Sequence, residues 1–221
     1  MINYNKLLAE LPGITVIMID SGRNDQWFKE ATASVLDQIY PVAKVSETEY
    51  KTQIELKIIN NRERKYTIGQ CWNHLIKEAE FDYIFILDDD DMMERELLFN
   101  MMIFLQRIKL DKKNKDIIGV TPNVTFMEKK DGKMFYQFSD SYTSGLVEKK
   151  WLLKVPFREE LEKHVDMRWD DDILKQNKFV AVQNWNHGYL YRQHEGMVSG
   201  RNVDMKYLDK DLNKIVDIEV K

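Results

Sequence analysis

Cysteine is almost missing from the 221-residue sequence, and Cys71 alone cannot form a disulfide within the chain. Residues 1–6 lack the basic and apolar regions of a secretory signal peptide. No apolar run approaches the roughly 20 residues that a helix needs to cross a bilayer, which excludes an integral membrane protein. From these absences together we expect a protein of the reducing cytoplasm.

An excess of positive charge is also missing. Lys and Arg number 33 against 37 Asp and Glu, for a formal net charge of −4, so the chain lacks the basic surface typical of nucleic-acid-binding proteins. The pattern Gly-x-x-x-x-Gly-Lys-Ser/Thr does not occur, which argues against a P-loop kinase. With 43% hydrophobic and 32% charged residues, the composition is that of an ordinary globular protein. We therefore expect one folded domain over residues 1–221.

Short apolar runs alternate with helical patterns in the first 120 residues. The first predicted helix, capped by Asn24 or Asp25, carries Ala31, Val35 and Leu36 at core-facing spacing. The predicted strands are residues 14–19, 54–59, 83–87 and 117–120, and later helices cover residues 72–79 and 94–110. This alternation predicts a Rossmann-like α/β fold with a mostly parallel central sheet and helices on both faces.

The pattern changes in the second half of the chain. Residues 124–126 and 134–138 are strand-like segments, and Asp131-Gly132 between them is a hairpin signal. Consecutive strands joined by a tight turn run antiparallel. We therefore expect a smaller antiparallel part in this half.

Four consecutive aspartates, Asp88 to Asp91, directly follow the predicted strand 83–87. Ligands of open α/β sheets bind at the carboxyl ends of strands, so the position favours a binding site. Adjacent carboxylates repel one another unless they are solvated, protonated or neutralised by a cation. Their oxygens suit Mg²⁺ or Mn²⁺. The alternative is a solvated turn that caps the helix beginning near Glu94.

The acidic run and several other segments resemble, in the same order, motifs of the inverting GT-A glycosyltransferases of family 2. Residues 83–92 are similar to the family's apolar strand followed by Asp-x-Asp. The other similar segments are residues 34–41 (Ser-x-x-x-Gln-x-Tyr-Pro), 68–73 (Gly-x-x-x-Asn), 169–174 (Glu-Asp-x-x-Leu) and 189–194 with Ser199 (Tyr-Arg-x-His…Ser). The resemblance covers about residues 14 to 199.

The resemblance implies a GT-A fold, with a nucleotide-sugar-binding half over residues 1–120 and an acceptor-facing half over residues 121–221. It implies an enzyme that uses Mn²⁺ or Mg²⁺ to move a sugar from a nucleotide diphosphate sugar, with a UDP-sugar favoured, to an acceptor hydroxyl. The acceptor is left open among a glycan, a protein, a lipid-linked sugar and a modified nucleic acid. Two other functions stay open, a sugar nucleotidyltransferase and a catalytically silent nucleotide-sugar-binding module.

The same resemblance implies a role for each site residue. The metal ligands would be Asp88, Asp90 and His194, with His187 as the weaker alternative to His194. Asp89 and Asp91 would be outer-shell or capping groups, with Asp91 as reserve ligand. The donor contacts would be Asp20, Ser21, Asn60, Asn73, Asp88 and Arg192, of which Arg192 would hold the diphosphate.

An inverting displacement needs a general base, and the candidates are Asp170, Asp171 and Asp172. The motif alignment favours Asp171, and a shift of one residue selects Asp172. The alternative for this segment is a helix N-cap ahead of Ile173.

The Ser144-Gly145 segment would lie beside the donor sugar. We expect Trp151, Trp169 and Trp185 first as core residues and second as surfaces for an acceptor.

The sequence departs from the family at two points. Residues 19–22 read Ile-Asp-Ser-Gly where the family commonly has Pro-x-Tyr-Asn. Asn60 and Asn61 stand where an Asp commonly contacts the base. Both departures lie where the family contacts the nucleotide. The resemblance therefore defines the fold better than it defines the identity of the nucleotide base.

Overall fold

The structure is a computed structural model that describes residues 11–44, 50–122, 124–128, 134–137, 145–161, 164–183 and 188–193. Strands and helices alternate in the first half, as the apolar pattern predicts. In chain order its elements are β1 (Ile14–Asp20), α1 (Asp25–Leu36), β2 (Val42–Lys44), β3 (Tyr50–Thr52), β4 (Ile54–Asn60), α2 (Ile68–Glu78), β5 (Tyr83–Ile86), β6 (Met92–Met93), α3 (Leu97–Lys109) and β7 (Ile117–Pro122).

The second half adds five strands and two helices within the described part of the chain. They are β8 (Val124–Glu128), β9 (Met134–Gln137), β10 (Leu146–Glu148), α4 (Lys149–Lys154), α5 (Val165–Leu174), β11 (Phe179–Gln183) and β12 (Tyr189–Gln193). No helix within the described ranges has the length and apolar character that crossing a membrane requires.

The described residues form a main sheet of six strands in the order β11-β7-β10-β5-β1-β4. All pairings are parallel except those of β10, which runs antiparallel to both β5 and β7. The mostly parallel sheet is therefore confirmed. Two strands of this sheet, β10 and β11, come from the half of the chain that was predicted to face the acceptor. Gly119 in β7 permits this insertion, because a Cβ there would lie 2.4 Å from the carbonyl oxygen of Leu146.

Two hydrophobic clusters pack on opposite faces of the main sheet. Side chains alternate along β5, so Phe85 joins the cluster with α1 and α3, whereas Ile84 and Ile86 join the cluster with α2, α4 and α5. Each face buries large apolar side chains, and burial of this kind contributes about 1.5–3 kcal/mol per side chain. Helices on both faces are thereby confirmed.

Local capping explains where two helices begin. The Asn24 side chain accepts hydrogen bonds from the N–H groups of Gln26 and Trp27, which confirms it as the cap of α1. Thr67 and Gln70 form a capping box at the start of α2. The predicted inward position of Leu36 is wrong, because this side chain is 75% exposed at the last turn of α1.

A second, four-stranded sheet in the described residues has the order β6-β12-β8-β9. The β8–β9 hairpin is antiparallel as predicted, whereas β12 pairs in parallel with β8 and antiparallel with β6. Residues 95–96 form a turn after β6, so the helix predicted from Glu94 begins at Leu97 as α3. Because β6 directly follows the acidic run, this sheet brings the end of the described chain to that run.

Candidate functional site

The loops that follow β1 and β5 meet because these strands are parallel neighbours. Asp89 Oδ2 accepts hydrogen bonds from the backbone N–H of Ser21 at 2.8 Å and from its hydroxyl at 2.5 Å. The Arg23 guanidinium forms an ion pair with the Asp90 carboxylate. The site therefore lies at the carboxyl ends of the central strands, where ligands of such sheets bind.

The four aspartates divide into two kinds. Asp89 is turned to Ser21, and Asp91 is turned to β12, where it accepts hydrogen bonds from the Tyr189 hydroxyl at 2.7 Å and the Arg192 backbone N–H at 2.8 Å. Both are buried and bind neutral donors within the fold. Asp88 is exposed, and Asp90 pairs with the charged guanidinium of Arg23.

The carboxylates of Asp88, Asp90 and Asp91 crowd together, with one oxygen of each within 4.8 Å of the others. Desolvation, followed by repulsion from Asp90 and Asp89, raises the pKa of Asp88 to about 7. Desolvation and repulsion from Asp88 and Asp90 also raise the pKa of Asp91 well above its usual range. Because Asp88 is exposed to water, desolvation contributes less to its raised pKa, whereas the repulsion from the neighbouring aspartates remains. A hard divalent cation would relieve that repulsion, so these oxygen donors fit Mg²⁺ or Mn²⁺.

The loop after β1 is held by Arg62, which follows β4. Asp20 accepts hydrogen bonds from Arg62 Nε at 2.8 Å and from the Gly22 N–H at 3.0 Å, and Arg62 also pairs with Asp25 at 2.8 Å. Gly22 has φ +67°, and a Cβ there would lie 2.8 Å from Arg62 Cγ, so glycine suits this turn. Asp20 thus shapes the loop at the edge where it was predicted to contact the donor.

Asn60 lies beside Asp20 in the parallel register of β1 and β4. Its side chain is exposed, and its Oδ1 accepts the Arg62 backbone N–H at 3.1 Å. Asn60 and Ser21 therefore both lie on the edge of the sheet that carries the acidic run. Their contacts with a donor stay a prediction.

Arg192 lies deep in the site, only 4% exposed, through the pairing of β12 with β6. Its Nη2 donates to Glu30 Oε2 at 2.6 Å, and its guanidinium lies 5.3 Å from the centre of the Trp27 ring. Its Nη1 has no hydrogen-bond partner among the described residues. Arg192, which was predicted to hold the diphosphate, is therefore anchored to α1 and keeps the hydrogen-bond donor Nη1 available.

Asn73, the remaining predicted donor contact, is not brought to the acidic run. Its buried amide donates to Phe157 O at 2.8 Å and to Glu159 Oε1 at 2.9 Å, and accepts from Phe157 N at 3.0 Å. One turn earlier, a Cβ on Gly69 would lie 2.6 Å from the Arg158 carbonyl oxygen. The Gly-x-x-x-Asn element thus binds the segment 157–159, which gives Asn73 a structural role.

The three aspartates at 170–172 lie inside α5, which begins at Val165, so the predicted N-cap ahead of Ile173 is wrong. Asp171 is exposed and pairs with Arg168 on its own helix at 3.2 Å. Asp172 accepts two hydrogen bonds from the Arg158 guanidinium, at 2.7 and 2.8 Å, and one from Lys175 at 2.7 Å. Both predicted bases are therefore engaged in ion pairs within the fold.

The ion pairs of Asp172 make the acid stability of the protein a test of its role. Hydrogen bonds from Arg158 and Lys175 lower its pKa from 3.8 to about 2. A depressed folded-state pKa contributes stability that is present above the unfolded value and lost as pH falls through the folded value. We expect Asp172→Asn to lower the melting temperature at neutral pH, and the difference from the wild type to shrink between about pH 4 and pH 2.

Asp171→Asn is the matched control for that experiment, because its pair with Arg168 is exposed and should be worth little. Melting curves recorded across the acid range measure both variants against the wild type. A difference for Asp172→Asn that is constant from neutral to acid pH would contradict the assignment of this carboxylate as a structural ion-pair partner.

Asp166 is a carboxylate that the motif alignment does not single out and that acts on the acidic run through its charge. It lies in the first turn of α5, is partly buried, and is one of the charges that raise the pKa of Asp88. A signal was present in the sequence. Val165, Trp169 and Ile173 recur at intervals of four, as the buried stripe of one helix does.

Some predicted site residues lie outside the described residues, namely His194, His187, Ser144 and Trp185. Trp169 is a core residue, 1% exposed, and its indole N–H donates to the Val155 carbonyl at 2.7 Å. Trp151 is partly buried, with the ammonium groups of Lys154 and Lys178 at 4.7 and 5.1 Å from its ring centre. Gly145 is buried beside Trp169 in the core.

The mostly parallel sheet with helices around it, together with the small second sheet, is a fold shared with solved structures of glycosyltransferases. The chain is similar to S. aureus TarS 1–349 in complex with UDP-GlcNAc, with a TM-score of 0.60 and 16% identity over 84% of this chain and 60% of that one. It is similar to TarS 1–349 in complex with UDP, with a TM-score of 0.58 and 15% identity over 82% of this chain and 60% of that one.

This chain therefore spans about 60% of the length of those TarS structures, and 37% of another TarS structure. No family model matches the sequence. No curated protein matches it either.

Proposed function

We propose that this protein is an inverting glycosyltransferase of the family 2 type that transfers a sugar from a UDP-sugar to an acceptor hydroxyl. One observation carries the proposal. Asp88 and Asp90 lie at the carboxyl end of β5, where one oxygen of each comes within 4.8 Å of the other and of Asp91. They do so in the fold of TarS, which was solved with UDP and with UDP-GlcNAc.

Asp88 and Asp90 are the residues that would hold Mn²⁺ or Mg²⁺, with Asp91 behind them. Bound there, the ion would supply positive charge against the departing diphosphate. His194 stays a predicted third ligand. Arg192, anchored by Glu30 and Trp27, would offer its Nη1 to the donor, which suits the affinity of guanidinium for phosphate.

The remaining requirement is a base for the acceptor hydroxyl. As the acceptor oxygen bonds to the anomeric carbon on the face opposite the diphosphate, the base takes the hydroxyl proton and the bond to the diphosphate oxygen breaks. We assign this role to Asp166 instead of Asp171 or Asp172. Asp166 lies in the first turn of α5, and its charge is one of those that raise the pKa of Asp88, which supports a position near the acidic run.

Helix geometry and acidity both oppose the two bases predicted from the motif. Asp171 follows Asp166 by five residues, which rotates it by about 140° around a helix of 3.6 residues per turn. Asp172 has a pKa of about 2 because Arg158 and Lys175 bind it. A carboxylate that acidic takes up a proton weakly, whereas an effective base has a pKa nearer the working pH.

The function is tested with a panel of UDP-, GDP- and dTDP-sugars, each incubated with the protein with and without Mn²⁺. We expect slow donor hydrolysis in the presence of metal, which mass spectrometry detects as free sugar and nucleoside diphosphate. NMR of the released sugar, recorded immediately after hydrolysis, should show the anomer opposite to that of the donor. Release of a nucleoside monophosphate or sugar phosphate would instead indicate nucleotidyl chemistry. A protein that neither binds nor hydrolyses any donor would contradict the proposal.

A further inference from the structure

Arg23 is a cation of the site to which the proposed function gives no role. It lies between Gly22 and the helix cap Asn24, in the loop after β1, and its guanidinium sits on the Asp90 carboxylate. Asp90 is the residue that the proposed function assigns to the metal. The same carboxylate thus holds a guanidinium in the structure and would hold a divalent ion in the working enzyme.

The loop presents Arg23 from a rigid base. Ser21 on one side is bound to Asp89 through two hydrogen bonds, and Asn24 on the other side is fixed by capping α1. The backbone between them is held further by the pair of Asp20 and Arg62. The Arg23 side chain itself is 31% exposed, so it can leave Asp90 by rotation of its own torsions while the loop stays in place.

The charge around Arg23 explains why it rests on the acidic run. Burial by itself would lower the pKa of Arg23, but attraction by Asp90, Asp89 and Asp88 outweighs burial and raises it. The guanidinium therefore neutralises part of the repulsion described above. A divalent ion on Asp90 would lie next to this positive charge, and two cations at one carboxylate repel each other.

Resting on the proposed function, we propose that Arg23 is an internal counter-ion that competes with the metal for Asp90 and moves to the donor diphosphate when metal and nucleotide bind together. The guanidinium fork matches phosphate oxygens as well as it matches a carboxylate. Metal alone displaces Arg23 without giving it a new anion. Metal with nucleotide diphosphate supplies that anion, so each ligand strengthens the binding of the other.

The test measures Mn²⁺ binding from the electron paramagnetic resonance signal of free Mn²⁺, with and without UDP. We expect Arg23→Met to bind Mn²⁺ alone about 10-fold more tightly than the wild type, the order of a typical coupling between linked sites. The further gain on adding UDP should be smaller in the variant than in the wild type. Arg23→Lys should retain most of the wild-type behaviour, because it keeps the charge.

Arg95→Met is the control for the loss of one positive charge, because Arg95 pairs with Asp37 at 2.9 Å on the exposed surface. Its Mn²⁺ affinity should equal that of the wild type. Arg23→Met that binds Mn²⁺ no more tightly than the wild type overturns the role of Arg23, even if the wild type hydrolyses its donor. A wild type that neither binds nor hydrolyses any donor overturns the proposed function. The titration with Mn²⁺ alone then still tests whether Arg23 competes with the metal.

Discussion

Asp90→Asn is expected to abolish the metal dependence of nucleotide binding. The substitution keeps the size of the side chain and removes the charge that the metal needs. In the presence of Mn²⁺ the affinity for UDP should fall by at least about 100-fold, equivalent to about 3 kcal/mol, because a metal contributes several kcal/mol of charge stabilisation. Calorimetric titration with UDP, in Mn²⁺ and in chelator, measures this loss.

The matched control is Asp37→Asn, an exposed aspartate that pairs with Arg95 away from the acidic run. Its affinity for UDP should keep the wild-type response to Mn²⁺. The circular dichroism spectrum of Asp90→Asn should match that of the wild type, which checks that the variant is folded. If the variant still binds UDP more tightly with Mn²⁺ than with chelator, Asp90 is not the principal ligand.

Asp166→Asn should separate chemistry from binding. Asparagine cannot accept the proton of the attacking hydroxyl, so donor turnover should fall by about 10²–10⁴-fold, the range for a lost general base. The affinity for UDP with Mn²⁺ should stay within about 3-fold of the wild type, because a base acts in the transition state and contributes little to ground-state binding. Hydrolysis rates and UDP titration of the same preparations provide the two measurements.

Asp171→Asn and Asp172→Asn complete this series. Asp171→Asn should keep wild-type turnover, and Asp172→Asn should lose thermal stability more than it loses activity at a temperature where it is folded. A loss of turnover in Asp171→Asn, with Asp166→Asn active, would restore the base predicted from the motif. Asp166→Asn also removes an acidic residue from the first turn of α5, which costs about 0.3–1 kcal/mol and is checked by urea unfolding.

The position of the acidic run was predictable because it depends on local pattern. The apolar residues of β5 end directly before Asp88, and parallel strands present such ends at one edge of the sheet. The residues that bind Asp89 and Asp91 were not predictable. Asp89 is separated from Ser21 by 68 positions, and Asp91 from Tyr189 by 98 positions, so only the folded chain shows which carboxylates are already bound.

The proposed base, Asp166, differs from the motif prediction for a related reason. The alignment matched the consecutive aspartates at 170–172. Which residues form the first turn of a helix depends instead on where the helical backbone begins. In the structure α5 begins at Val165, so Asp166 lies in its first turn, and the charge of Asp166 acts on Asp88. Asp171 and Asp172 are turned toward Arg168 and Arg158 instead.

By itself the sequence determined the alternation of strands and helices, the cap of α1 and the acidic end of β5, since hydrophobic periodicity and capping act over a few neighbouring residues. Tertiary structure alone decided that β10 enters the main sheet in the antiparallel direction, that Asn73 binds the segment after α4, and that Arg23 rests on Asp90. These outcomes depend on contacts between residues far apart in the chain. Such contacts are selected by packing of the whole fold and leave no local pattern in the amino-acid order.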